Sequence, residues 1–410
     1  MATIDWNIVS VIMALANLSA ARGYSGGVMA YKTTIVNESN AYEYVWRRLR
    51  QFHDIETTVS RLSSERSIGK DQHKNLLKQM AQLSYCLTQA YEFAQSAKTS
   101  GSTTRALQAY YSVTALANAE ILWRGDGNVS LDRRDKRYHR HGFDLRIGSS
   151  VEDFLAVPQV HEDGKIDGLF GLWRDHSRHV PQYAEETIMY PGGTASTSRR
   201  VISSITPLSD IPIKTNGFSM MDCFKHTPLM YQHLYSIGIV PELARGVITS
   251  TVDAGDEQNR TSSRLTTIIH PCNDRVREEV LEFFMYHPND WEQLEINSLP
   301  GGAIFSVNRE FSGDFNHRNG HSNSSPESFS LLKNEMYFVG AGALLNEYGY
   351  YFLGLYIMGM ISRYHPQKWI KEIQRNSAIT HLVDQFIDIA LLRTPLLILG
   401  QMEDEVLLFD

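Results

Sequence analysis

Regular hydrophobic spacing is clearest in KDQHKNLLKQMAQLSYCLTQAYEFAQSA, residues 70–97. There Leu76, Leu77, Met80, Leu83, Leu87, Tyr91 and Ala94 recur mostly at intervals of three and four, which gathers them on one face of a helix. AYEYVWRRLRQF before it and SGSTTRALQAYYSVTALANAEILW after it read the same way. In the latter, Ser and Thr residues stand where they would cap the helix start, and Leu107, Tyr110, Tyr111, Thr114, Ala115, Ala117 and Leu122 fill the buried side. Long amphipathic helices joined by short polar links predict a helical bundle.

After Asn128 the apolar period shortens. RGVITSTVDA, SSRLTTIIHP and GGAIFSVNREF are rich in Val, Ile, Thr and Phe between turn residues and predict strands, with DEQNR as a hairpin loop between the first two. DRVREEVLEFFMY returns to helical spacing through Val276, Val280, Phe283 and Phe284, and residues 310–329 read as a polar loop. Helices resume in YYFLGLYIMGMISRYHPQKW and AITHLVDQFIDIALLRTPLLIL, with Pro366 placed where the first of them ends. The apolar run Tyr350 to Ile361 is shorter than a membrane span requires and predicts a buried core helix. The pattern as a whole gives a predominantly α-helical α+β fold. It divides into a helical bundle over 1–127, a mixed α+β region over 128–330, and a helical segment over 331–410 that packs back on the rest.

At 410 residues the chain exceeds the roughly 250 to 300 at which single cores stop growing, so more than one core is expected. With 42% hydrophobic and 21% charged residues the composition is that of a globular protein. A net charge of -7 argues against broad coating of nucleic acid and gives weight to any local basic cluster. The cysteines, Cys86, Cys223 and Cys272, form no CxxC pair. They suggest neither a disulfide framework nor a zinc site, and fit a reducing cytoplasm. Cys86 falls within an apolar helical pattern and reads as core. The opening DWNIVSVIMALANLSAARG carries Asp5 and no lysine or arginine ahead of its apolar run, so a packed helix is expected there rather than a signal peptide, and no membrane partner.

Several stretches together carry a resemblance. QAYEFAQSA and LQAYYSVTALANAEIL are followed by HGF at His141 to Phe143, then by GLYIMGMISRYHPQKW and LVDQFIDIALLRTPLLIL. This order resembles the YaaC-like proteins, a largely uncharacterised group. In them a helix with a Tyr-Tyr pair precedes a His-Gly loop, and an Arg-Tyr-His-Pro-x-x-Trp segment lies near the C-terminus. The matching residues here are Tyr110, Tyr111, His141, Gly142, Arg363, Tyr364, His365, Pro366 and Trp369, and the resemblance runs from about Trp46 to Leu399. The N-terminal helices also look like the bundle of the HEPN superfamily (higher eukaryotes and prokaryotes nucleotide-binding). Many of its members are RNA-cleaving toxins or defence proteins, and others are inert nucleotide-binding or assembly modules. The resemblance to YaaC-like proteins implies a fold more than an activity.

RRDKRYHRHGF, residues 133–143, holds four arginines, a lysine and two histidines. HEPN ribonucleases space an Arg and a His by four to six residues, so that imidazole acts on the ribose hydroxyl while guanidinium grips phosphate. Arg134 with His139 or His141, and Arg133 with His139, match that spacing, and the residue types suit the chemistry. Departing from the pattern, Gly125, Gly127 and Gly142 place the segment in a loop, and Asp132, Asp135 and Asp144 offset its charge. Three readings stand side by side: a ribonuclease centre on Arg134, His139 and His141; a phosphate contact through Arg133, Arg137, Arg140, Arg363 and His365; and a structural loop whose His-Gly makes a turn. Arg363 and His365 also suit the free carbonyls at the end of an apolar helix.

His161, Asp175, His176 and His179 lie close in sequence, and His176 and His179 have a spacing that would share a helical face. With no HExxH arrangement, no metal is assigned. YPGGTASTSRR lacks the GKS or GKT of a phosphate loop and reads as a polar turn or strand connection. No cofactor fingerprint or nucleophile elbow appears. Three functions are therefore expected in competition: a cytoplasmic nucleotide-, RNA- or protein-binding component of a defence or stress system; a metal-independent ribonuclease; and a non-catalytic assembly subunit, as a homo-oligomer or with a protein partner.

Overall fold

Short polar side chains set where several helices begin. Asn40 accepts from the Glu43 amide at 3.1 Å, Asp54 from Thr57 at 3.2 Å, Asn346 from Gly349 at 2.9 Å and Ser377 from Thr380 at 3.3 Å. Each satisfies an amide that the first helical turn leaves open. Ser219 and Asp222 form a reciprocal capping box. Helix ends are marked by Ser67, Asn376 and Asp404, all in the left-handed region. The structure is a computed structural model that describes residues 27–179, 184–189, 195–253, 262–286, 293–299, 302–312, 320–324, 328–329, 335–339 and 344–409.

The described helices are α1 (Ala41–Arg50), α2 (Ile55–Arg66), α3 (His73–Thr99), α4 (Arg105–Arg124), α5 (Gly168–His176), α6 (Met220–Lys225), α7 (Tyr231–Ser236), α8 (Asp274–Tyr286), α9 (Glu347–Tyr364), α10 (Pro366–Arg375) and α11 (Ala378–Glu403). The strands form three sheets. In the first, β1 (Gly27–Val36) pairs parallel with β15 (Glu405–Phe409) and antiparallel with β6 (Ala195–Pro207), which continues to β5 (Ala184–Met189) and β12 (Gly320–Ser324); β4 (Arg178–His179) also joins β6. The second runs β10 (Gln293–Leu299), β11 (Gly302–Ser312), β9 (Ser262–Ile269), β8 (Leu243–Asp253), β14 (Glu335–Val339) and β13 (Ser328–Phe329). The third joins β2 (Phe143–Arg146), β3 (Leu155–Pro158) and β7 (Phe218–Ser219). The fold is α+β and predominantly helical, as the periodicity predicts.

One contiguous apolar cluster runs from Val36 to Phe409 and includes side chains of α1 to α6 and α9 to α11. Helix α9 is its centre: every residue from Glu347 to Ile361 is buried. Gly359 lets α9 close on α4, since a Cβ there would stand 3.2 Å from the Tyr110 Cβ and 3.5 Å from the Leu107 Cα. Within this interior Arg393 of α11 meets Glu347 of α9. Its Nε donates to Oε1 at 2.8 Å and its Nη2 to Oε2, while the Tyr351 hydroxyl donates to Oε1 at 3.0 Å. Both partners are almost wholly removed from solvent.

Some local expectations are corrected. Thr104 occupies the N-cap of α4 without a side-chain bond; the Thr103 carbonyl is used instead by Ser362 at 2.7 Å and Trp369 Nε1 at 3.1 Å. Residues 310–329 are not all loop, because 310–312 belong to β11 and both β12 and β13 lie in the stretch. YPGGTASTSRR joins β5 to the antiparallel β6, as a strand connection would, and its end from Ala195 through Arg199 and Arg200 already belongs to β6. β8 and β9 pair from Gly246↔Ile269 to Asp253↔Ser262 as a hairpin requires, while DEQNR and the N-terminal apolar run lie outside the described residues. Cys86, Cys223 and Cys272 are free thiols, and burial pushes that of Cys86 up to about 11. Among the described residues no helix is long and apolar enough to cross a membrane.

Candidate functional site

The basic segment folds as two short 3-10 turns, Leu131–Arg133 and Lys136–His139, and most of its cations are tied down. Arg133 donates to Asn75 Oδ1 at 3.1 Å, and Arg137 to Asp163 at 3.4 Å while lying over the Tyr138 ring. Lys78 and Gln82 hold Asp132. Arg134 folds inward to Asn118 of α4, and its Nε and Nη2 are buried without a partner. No carboxylate faces it, so desolvation lowers its pKa to about 10. Lys136, His139 and Arg140 stay exposed.

The chain then turns at His141 and Gly142 because it must clear the start of α5. The carbonyls of Arg140 and His141 accept from the Leu169 and Phe170 amides at 2.7 and 3.2 Å, capping that helix. Gly142, at φ +97°, and Gly168, at φ +69°, touch back to back: a Cβ on the first would overlap the Asp167 carbonyl, and one on the second the backbone of Gly142. The His-Gly pair is thus a structural turn that also aims a side chain.

That side chain enters a cluster drawn from three separate parts of the sequence. His141 Nδ1 lies 2.7 Å from the Tyr110 hydroxyl, and its ring is 5.5 Å from Tyr110 and 5.7 Å from Tyr356 of α9. The Tyr356 hydroxyl donates to the Phe143 carbonyl at 3.0 Å. Two helical turns beyond Tyr356 on the same face, Arg363 donates to the Tyr111 hydroxyl at 3.1 Å and lies 5.0 Å over the Tyr364 ring. Arg363 and Tyr364 are exposed. Burial, and then the charge of Arg363, lower the His141 pKa, so the imidazole is neutral near pH 7. Burial raises the Tyr110 pKa far out of the working range. When that phenol donates to Nδ1, the imidazole proton sits on Nε2, and Arg363 is near enough for its charge to act on the ring. An imidazole N–H and a guanidinium both suit an anionic oxygen.

Of the residues singled out in sequence, His141 and Arg363 are brought together. Arg134 is held at Asn118, eight residues along α4 from Tyr110, or about 12 Å of helix axis. His139 faces solvent. His365 bridges two helices: its amide donates to Ile361, its carbonyl accepts from Trp369, and its ring lies 5.3 Å from Phe154. His176 ends α5 while His179 stands in β4, so they share no helical face, and among the described residues no three His, Cys, Asp or Glu converge as metal ligands. Tyr356 was hidden in sequence within an apolar run. Its one signal is the interval of seven to Arg363.

No curated protein and no solved structure matches the chain. The family model described as YaaC-like Protein matches residues 50–402, which include α3, α4, the His-Gly turn and α9 to α11. On that match over most of its length, the chain belongs to the YaaC-like family.

Proposed function

We propose that this YaaC-like protein binds a nucleotide or a short RNA at the Tyr110, His141, Tyr356 and Arg363 cluster without cleaving it. The observation that carries this reading is the neighbourhood of Arg363: an exposed guanidinium over the exposed ring of Tyr364, with the His141 imidazole close enough to feel its charge. Arginine and imidazole suit a phosphate, and Tyr364 suits stacking of a base. Exposed Lys136 and Arg140, at the near end of the His-Gly turn, add cations to this part of the chain beside the exposed Asp135 and Asp144. A role in a defence or stress system rests on the likeness of the N-terminal helices to the HEPN bundle, and so does the wider expectation of a nucleotide ligand.

Titration calorimetry with mononucleotides and short single-stranded RNAs tests the reading. Binding that weakens with salt is expected, with Arg363→Ala and Tyr364→Ala each costing about tenfold or more. No bound species, or an Arg363→Ala protein that binds as the parent does, sinks it. The lowered His141 pKa favours one second reading, a metal-independent ribonuclease using His141 with Arg134 or Arg363. It needs Nε2 free to take a proton, and hence Nδ1–H donated to the Tyr110 oxygen. Cleavage lost on His141→Ala, and on Arg134→Ala or Arg363→Ala, would establish it; RNA left intact by the parent protein excludes it.

A further inference from the structure

A cleft of about 550 Å³ opens where α6, the start of α8 and the start of α9 meet, lined by none of the residues of the His141 cluster. Its size is within the range of small-molecule sites. The capping box on α6 fixes the residues that follow it. His226, just past the helix end, stacks on the buried Tyr350 ring at 4.7 Å and 11°, and its Nδ1 lies 2.8 Å from the Asp222 carbonyl. A carbonyl only accepts, so Nδ1 carries the proton and Nε2 presents a lone pair. Burial holds the ring neutral by lowering its pKa.

The charges around the cleft nearly cancel in pairs. Asp222 accepts from Lys214 at 3.3 Å and from the Ser219 amide at 2.8 Å; Glu242 accepts from Arg275 at 3.0 Å and Asn273 at 2.8 Å; Asp274 pairs with Arg277 at 2.9 Å. Three cations, Lys214, Lys225 and Arg275, thus line the cleft with three carboxylates, Asp222, Glu242 and Asp274, and Lys225 is the lining cation that makes no ion pair among the described residues. Phe218, whose ring lies 5.7 Å from the Lys214 ammonium, Leu344 and Tyr350 give the lining its apolar surface. The cleft therefore offers an ammonium without an ion pair, the His226 acceptor and an apolar surface.

We infer that this cleft binds a small organic carboxylate with a hydrogen-bond donor beside it and an apolar body, as in an aryl hydroxy acid or an aromatic amino acid. The carboxylate meets Lys225, the neighbouring O–H or N–H donates to His226 Nε2, and the ring lies against Phe218 and Leu344. A single free ammonium matches one negative charge better than the two of a phosphate monoester.

Titration of the full chain with L-phenyllactate, L-phenylalanine, 3-phenylpropionate and inorganic phosphate tests the inference. At least one of the first two is expected to bind tenfold or more tightly than phenylpropionate, which lacks the donor, and than phosphate, which lacks the apolar body. Lys225→Met lowers that affinity at least tenfold. His226→Phe, which keeps a ring over Tyr350, erases the preference over phenylpropionate. Arg363→Ala leaves this binding intact, which separates it from the nucleotide site. No heat from either donor-bearing ligand at millimolar concentration overturns the inference, as does phosphate binding tightest or a Lys225→Met protein that binds as the parent does. The ligand series on the parent protein decides the matter even where a variant fails to fold.

Discussion

Arg393 and Arg134 are both drawn out of solvent, and their surroundings treat the same guanidinium in opposite ways. Arg393 meets Glu347 through two parallel hydrogen bonds, and the nearby carboxylate drives its pKa up against the cost of burial. Arg134 meets one side-chain amide, keeps two buried nitrogens unsatisfied, and has its pKa driven down by burial with no carboxylate to oppose it. Burial alone does not make a charge structural; the partner decides. The paired arginine fastens α9 to α11 at the centre of the core. The unpaired one imposes a cost on the loop that carries it.

The largest test of that contrast is to orphan Arg393. Glu347→Ala should destabilise the chain by about 3 to 5 kcal/mol, because it leaves a charge buried and unpaired, while Glu347→Leu with Arg393→Met should recover most of the loss. The midpoints of urea unfolding read both, and an additive double variant would show that the pair is not coupled. Arg134→Met should act in the opposite sense, raising the midpoint by up to about 1 kcal/mol as the unmet donors disappear. A loss of several kcal/mol there would place Arg134 among the structural residues. Giving Arg134 a carboxylate through Asn118→Asp should bring it closer to Arg393, raising its pKa and shifting stability by about 1 kcal/mol or less. The smallest effect belongs to His141. Above pH 6.5 its ring is neutral in both states and adds nothing; as pH falls through 6.5 the unfolded chain takes up the proton first, so stability declines. His141→Phe should remove that part of the acid slope, and an unchanged slope between pH 7 and 5 would contradict the neutral ring.

The helices were legible because their apolar intervals are long and regular: the stripe from Leu76 to Ala94 is α3, and the run from Tyr350 to Ile361 lies wholly within α9. What periodicity cannot carry is which distant faces meet. The parallel pairing of β1 with β15, Lys32↔Glu405 to Val36↔Phe409, joins residues more than 370 positions apart and leaves no local trace. Of the site, the Tyr pair, the His-Gly turn and Arg363 could be named through the family resemblance, since each sits in a recognisable motif. Their convergence on Tyr356 could not, because a tyrosine among Leu, Ile and Met reads as one more apolar residue. Arg134 and Arg363 looked alike as sequence; only the fold turns one toward Asn118 and the other toward solvent. The cleft at His226 was invisible because its lining comes from segments some 130 residues apart, none of which forms a motif.

The contact between Gly142 and Gly168 makes the His141 turn and the first turn of α5 a single mechanical joint. Two backbones in direct touch leave no side chain to act as a cushion, so the His141 turn cannot shift without the start of α5, the helix that carries Trp173, whose indole donates at 2.7 Å to the buried carboxyl of Glu120. The amides of Gln159, Asp167, Leu169 and Phe170 all close onto this joint. They should exchange with deuterium as one cooperative group, at a rate that slows together when the cluster above them is occupied.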